Sequence, residues 1–217
     1  MDSLIGPVPS AWRQVMLEDI CEILVGPSGA RFRVEARSSA NVPVVMPRDL
    51  RNNRIAHDGT SAAAIESARA LARYRLGAGD VVCSRTGDLG RQALVGREQH
   101  DWLVGSACFR LRTHDAVKGS YLVYYLAHPT VRDWIIRNAT GSAIPSLNTR
   151  TMATMPVVLP PAEIQSMVGD VLGALDEKIA VHGQISSTTA ALRDSLLPLL
   201  LNRSAHPGRD RGDTPAE

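Results

Sequence analysis

Two consecutive prolines, Pro160-Pro161, divide this 217-residue chain, and the segment that follows them constrains the fold most. After Ala162-Glu163, the residues Ile164, Val168, Val171, Leu175, Ile179, Ile185, Leu192, Leu196 and Leu199 step largely by three and four, which is the spacing of an apolar seam along one side of a helix. His182 and Thr189 interrupt it. Ala162 to Leu197 is 36 residues, about 54 Å of helix at 1.5 Å per residue. A stripe of that length cannot be buried on one small domain, so the segment predicts a helix that packs against another helix. The alternative is two shorter helices folded back on each other, with a break near Gly183.

Ahead of the prolines the texture is different. From Trp12 to about Leu159, short apolar runs are broken by Gly, Pro, Asn and Asp, as strands and loops require. Strands are predicted at Pro43–Met46, Asp80–Ser84, Gln92–Val95 and Ala107–Arg112, and helices over the alanine-rich Ala62–Leu71 and over Tyr121–Ile136. The fold class is therefore α+β: a mixed α/β globular domain over 1–160, followed by a long coiled-coil-type helix over 161–202. The stretch 203–217 has no aliphatic side chain larger than alanine and reads as a disordered tail.

Several classes of chemistry lack their residues. Cys21, Cys83 and Cys108 are odd in number and widely spaced, which fits neither a disulfide framework nor a zinc site and predicts buried, reduced thiols. There is no signal-like N-terminus and no unbroken apolar stretch long enough to span a membrane, so a cytoplasmic location is expected. Leu76-Gly77-Ala78-Gly79-Asp80 resembles a nucleotide loop only superficially, because it precedes a strand and lacks the third glycine; it reads as a turn. Walker, nucleophile-elbow and zinc-protease motifs do not occur, and six histidines are scattered singly. His57 beside Asp58 reads as an exposed turn, and Asp176-Glu177-Lys178 as a solvated helix face. The chain is expected not to be an enzyme and to need no cofactor or metal.

Charge points elsewhere. Residues 1–160 hold 19 basic and 14 acidic residues, whereas 161–217 hold 5 and 8, and 22 of the 24 basic residues are arginine. Between Arg31 and Arg54, the arginines Arg31, Arg33, Arg37, Arg48, Arg51 and Arg54 face only Glu35 and Asp49, and Asn52-Asn53 lies among them. Arginine and asparagine read guanine and adenine edges in the major groove, and surplus arginines neutralise phosphates. A second candidate is the loop from Ser84 to Arg91, with Arg85, Thr86 and Arg91 around two glycines. A third is Thr140 to Asn148, containing Ser142, with Arg150 just beyond. Each taken singly is also what an ordinary surface loop looks like.

Taken in order, these residues resemble one half of the specificity subunit of type I restriction-modification systems. The resemblance is carried by Trp12 with Leu17-Glu18-Asp19-Ile20 and Gly26, Val42-Pro43-Val44-Val45 with Arg48-Asp49-Leu50, and Gly79-Asp80-Val81-Val82 with Ser84-Arg85-Thr86-Gly87. It continues through Ala139 to Asn148, Leu159-Pro160-Pro161 with Ile164-Gln165, Leu175-Asp176-Glu177-Lys178-Ile179 and Leu192 to Pro198. It implies a target recognition domain for double-stranded DNA and a spacer helix that docks methyltransferase subunits and, through the complex, a restriction subunit. The usual family member has two such halves in one chain; one of each here suggests a homodimer with antiparallel helices, reading a palindromic split site, or else a truncated half or one that pairs with another half-subunit. A non-catalytic scaffold, or the recognition component of a related phage-defence complex, is the other reading.

Overall fold

In the computed structural model, residues 1–27, 41–56, 62–64 and 71–204 are described. The strands are β1 (Asp2–Ser3), β2 (Gly6–Pro7), β3 (Arg13–Met16), β4 (Cys21–Val25), β5 (Asn41–Val45), β6 (Leu50–Arg51), β7 (Arg54–Ile55), β8 (Ala62–Ala64), β9 (Val81–Ser84), β10 (Gln92–Leu94), β11 (Leu103–Val104), β12 (Cys108–Thr113) and β13 (Pro156–Leu159). The α-helices are α1 (Gly119–Ala127), α2 (Pro129–Arg137), α3 (Thr149–Ala153) and α4 (Ala162–Ser204). Two units are distinguished, Met1–Asp176 and Glu177–Glu217.

The centre of the first unit is an antiparallel sheet in the order β10-β9-β12-β4. All four residues of β9 are buried, as a continuous apolar run implies for a strand covered on both faces. Its alternation sorts them: Val81 and Cys83 join Phe109, Leu111 and the helical residues Leu122, Leu126, Val131 and Ile135 in one core. Val82 turns the other way, to Val45, Leu50, Ala93 and Val104 in a second. Near the second core lies a smaller sheet, β11-β5-β8, in which β5 pairs parallel with β11.

Two expectations need correction. Alanine content predicts helix at Ala62, yet Ala62–Ala64 is a strand whose partners are Pro43, Val42 and Asn41. Ala62 and Ala63 are buried and paired with β5, so tertiary contact outweighs intrinsic propensity. Residues 65–70 lie outside the described residues. Second, the helix over Tyr121–Ile136 is two helices: His128 is extended, and Pro129 starts α2 at the position where its missing N–H costs nothing. As the seam predicts, α4 is continuous; it runs through Gly183 and Pro198 to Ser204, two residues past the expected Asn202, with no break near Gly183, and residues 205–217 lie outside the described residues.

The start of α4 belongs to the first unit. Gln165 is buried with its amide satisfied on both sides: Oε1 accepts from Lys118 N at 3.0 Å and Nε2 donates to the Pro160 carbonyl at 3.0 Å. One turn later, a Cβ on Gly169 would stand 2.5 Å from Ser120 Oγ, so only glycine allows this approach to α1. Tyr121 and Tyr125 donate to the Val158 and Pro156 carbonyls at 2.6 and 2.8 Å, fastening α1 to β13. Among the described residues no helix is long and apolar enough to cross a membrane.

Candidate nucleic-acid interface

The arginine-rich stretch contains a hairpin. β6 and β7 pair Leu50 with Ile55 and Arg51 with Arg54, leaving Asn52 and Asn53 as a two-residue turn with φ of 50° and 58°. That is the geometry of a type I′ turn, whose twist matches the flanking strands, and asparagine is among the few residues that tolerate it. Buried Leu50 anchors one strand, while Arg51, Asn52 and Arg54 are exposed. Arg51 Nε donates to the Arg48 carbonyl at 3.2 Å, which restrains the exposed guanidinium.

Asn53 faces inward instead. Its Oδ1 accepts from Gln92 Nε2 at 2.8 Å, its Nδ2 donates to Asp176 Oδ2 at 3.0 Å, and its carbonyl accepts from Leu94 N at 3.0 Å. The same Asp176 oxygen accepts from the Tyr124 hydroxyl at 2.7 Å. Asp176 is therefore half-buried and bonded within the fold, which corrects its reading as part of a solvated helix face.

The second predicted loop is closed at its neck, where Ser84 N donates to the Arg91 carbonyl at 2.9 Å and Arg91 N to Ser84 Oγ at 3.2 Å. Leu89 plugs into the core, so the loop has a fixed shape despite its polar composition. The third predicted loop lies against it: Gly87 N donates to the Pro145 carbonyl and Leu147 N to the Arg85 carbonyl, both at 2.9 Å, and Thr86 bridges to Ser146. Arg85 Nε is shielded from solvent and has no acceptor among the described residues.

Hairpin and second loop meet in a groove of about 600 Å3 lined by Arg51, Asn52, Asn53, Asp88, Arg91, Gln92 and Arg132. Three guanidinium groups, one carboxylate and several amides make this a surface for an anionic ligand that also offers hydrogen-bonding edges. Arg132 was not anticipated. It comes from α2 and passes over Gly90, where a Cβ would stand 2.6 Å from its Cγ; Gly90 also has a φ of +81°, which favours glycine. Nothing in the sequence near Arg132 marks it, because packing of α2 beside the loop is what places it there.

The other expected residues are distributed as follows. Arg31, Arg33 and Arg37, with His57 and Asp58, lie outside the described residues. Arg48, Ser142 and Arg150 are exposed but do not line the groove. Gly77-Ala78-Gly79-Asp80 is a turn, as read, held by a bond from Gly77 N to Asp80 Oδ2 at 2.7 Å. Along α4, Val168 packs into the first core and Ile164 is half-buried, whereas Val171, Leu175, Ile179, Ile185, Leu192 and Leu196 are exposed, as are Leu172 and Val181 beside them. The open seam thus begins at Val171. The three cysteines are buried and free, and burial pushes every thiol up, Cys21 to about 12. No cluster of His, Cys, Asp and Glu that could hold a metal occurs among the described residues.

Comparison with known proteins completes the description. The family described as type I restriction modification DNA specificity domain matches residues 9–188. A chain from a structure of the assembly and conformational transition of the type I R-M system is 18% identical, with a TM-score of 0.58 over 91% of this chain and 46% of that one. The HsdS subunit from Thermoanaerobacter tengcongensis is 17% identical, with a TM-score of 0.53 over 83% of this chain and 41% of that one. The S subunit of the type I restriction-modification system from M. genitalium is 12% identical, with a TM-score of 0.60 over 88% and 46%. This chain therefore spans less than half the length of each, with the same mixed α/β fold and long helix.

Proposed function

The chain belongs to the type I restriction-modification DNA specificity domain family, and from that premise we propose that it reads one part of a bipartite double-stranded DNA target and brings methyltransferase subunits to it, with a restriction subunit joining through them. The observation that carries this reading is the meeting of two separately identified polar segments, Arg51-Asn52 and Asp88 to Gln92, in one arginine-lined groove. Arg51 and Asn52 stand on a rigid hairpin tip and are the side chains suited to base edges, while Arg91 and Arg132 suit phosphates. Arg48, Arg54, Arg85, Thr86, Ser142 and Arg150 extend the contact beyond the groove. Arg31 and Arg33 belong to the same arginine-rich stretch. The chain itself carries out no chemistry; it works in the cytoplasm and recruits subunits that do.

The seam from Val171 to Leu196 supports the second half of the proposal. Apolar residues exposed at this spacing need a facing helix, supplied by a methyltransferase subunit or by a second copy of the chain. In a two-fold dimer the helices run antiparallel, and two recognition domains read a palindromic split site.

Selection from a randomised duplex library tests the reading. A single enriched motif is expected, and Arg51→Ala is expected to relax one base pair of it by about 1–3 kcal/mol. Binding that ignores sequence and vanishes in moderate salt would instead identify a scaffold without specificity. Sedimentation of the full chain, alone and with Ile179 and Ile185 changed to glutamate, tests the dimer: the wild type should sediment as a dimer and the variant as a monomer.

A further inference from the structure

The hairpin that carries Arg51 and Asn52 has few contacts of its own, since β6 and β7 are two residues each and Leu50 is the buried anchor. A two-stranded ribbon this short does not hold its shape in water unaided. Its tip is held on one side by the backbone bond from Leu94 N to the Asn53 carbonyl, and on the other by a chain of side-chain hydrogen bonds ending on α4: Gln92 to Asn53, Asn53 to Asp176, and Tyr124 to the same Asp176 oxygen. Asp176 has no other assigned task.

We propose that Asp176 is a positioning residue for DNA reading, holding the Asn52-Asn53 turn from the side of α4 so that Arg51 and Asn52 present one fixed geometry to the base edges. This rests on the reading of the groove as the DNA-facing surface. The chemistry suits the task. A carboxylate oxygen accepts two donors at once, and the bond it receives from the Asn53 amide is charge-assisted, hence stronger than a neutral one. The Tyr124 hydroxyl stays protonated and so remains a donor, because burial first and the bonded Asp176 second push its ionisation up. The turn is also one that resists being held elsewhere, with Asn52 and Asn53 both in the left-handed region. When Asp176 is removed, the tip keeps its backbone bond to β10 but loses the side-chain link that fixes the turn from the side of α4. The sequence gives no hint of the pairing, because Asn53 and Asp176 are 123 residues apart.

The test compares the full chain with Asp176→Ala and Asp176→Asn, the second of which keeps an acceptor oxygen. Amide hydrogen exchange is read over residues 50–56, and the ratio of affinities for the selected duplex and for unrelated duplexes is read beside it. Asp176→Ala should speed exchange in the hairpin several-fold and lower the affinity ratio about tenfold, the equivalent of one charge-assisted bond. Affinity for unrelated duplexes should not change, and Asp176→Asn should recover both readouts. Unchanged exchange in Asp176→Ala overturns the proposal, and so does faster exchange with an intact ratio. If Asp176→Ala does not fold, Asp176→Ser, whose shorter side chain stays polar but does not reach the Asn53 amide, removes the same link, and the same outcomes apply. A wild-type protein with no preference among duplexes sinks the functional reading itself. A preference that survives loss of the tether sinks this inference alone.

Discussion

Asp88 holds Arg91 inside the groove, with Arg91 Nε 2.6 Å from Asp88 Oδ2. The pair is exposed, at 36% and 54% of the side-chain surface, so it contributes about 0–1 kcal/mol to stability. Its larger effect is on a polyanion, because the carboxylate cancels one of the positive charges that a phosphate would meet. Asp88→Asn should therefore leave the melting temperature nearly unchanged. It should strengthen binding to every duplex several-fold and steepen the dependence of log affinity on log salt by about one unit. Salt titration of binding for wild type and variant measures both.

Arg132 should behave as a phosphate contact. Arg132→Ala is expected to weaken all duplexes alike and to flatten the same salt dependence by about one unit, without moving the selected motif. Gly90→Ala should give part of this loss, since a methyl group there displaces the Arg132 stem. It should also destabilise the fold by about 1–2 kcal/mol through the left-handed backbone at that position. Library selection combined with denaturation separates the two effects.

Asp80 and Arg112 form a two-bond pair at 2.8 and 2.7 Å at the start of β9, with Asp80 buried and Arg112 partly in water. Removing the arginine leaves a buried carboxylate without its cation. Arg112→Ala should cost about 2 kcal/mol, below the usual range for a buried pair because the arginine is half-exposed. Arg112→Lys should recover less than half of that, since an ammonium cannot make both bonds in one plane. Urea denaturation at neutral pH measures each.

Alkaline pH should destabilise the protein from about pH 9. Burial raises the Cys21 thiol from 9.0 to about 12, with the Glu22 charge adding to the effect, and burial acts on Cys83 and Cys108 in the same direction. A folded-state value above the unfolded one means that the unfolded chain loses its proton first. The stability associated with the neutral thiol is then complete below pH 9 and lost as pH rises toward the folded-state value. Each thiol contributes up to about 1.4 kcal/mol per pH unit in this window. Denaturation midpoints between pH 8 and 10 should fall accordingly, Cys21→Ala should make the slope shallower, and a thiol reagent at pH 8 should label the cysteines only on unfolding.

How much of this was legible in the sequence depends on whether a feature is local. The Pro160-Pro161 boundary and the seam beyond it placed α4 at its first residue, because helix start signals and periodicity are properties of neighbouring residues. The run at 81–84 was equally clear, since a strand buried on both faces needs no partner to identify it. Ala62–Ala64 was misread because alanine suits a helix and also suits a crowded sheet, and only β5 decides between them. In the groove, Arg51, Asn52 and Arg91 were found from composition, which marks segments. Arg132, Gln92 and the tether through Asp176 were not, since they act only where α2, β10 and α4 come together.

The pairing of β3 with β13 places Arg13–Met16 against Pro156–Leu159 along the full length of both strands. During synthesis the earliest of these strands has to wait for the latest, so the recognition unit can close only after residue 159 has left the ribosome. The first turns of α4, through Asp176, must follow before the reader is complete, and only the rod beyond Glu177 is left to appear after it. Assembly thus has an order written into the chain, with ribosomal exit acting as its clock.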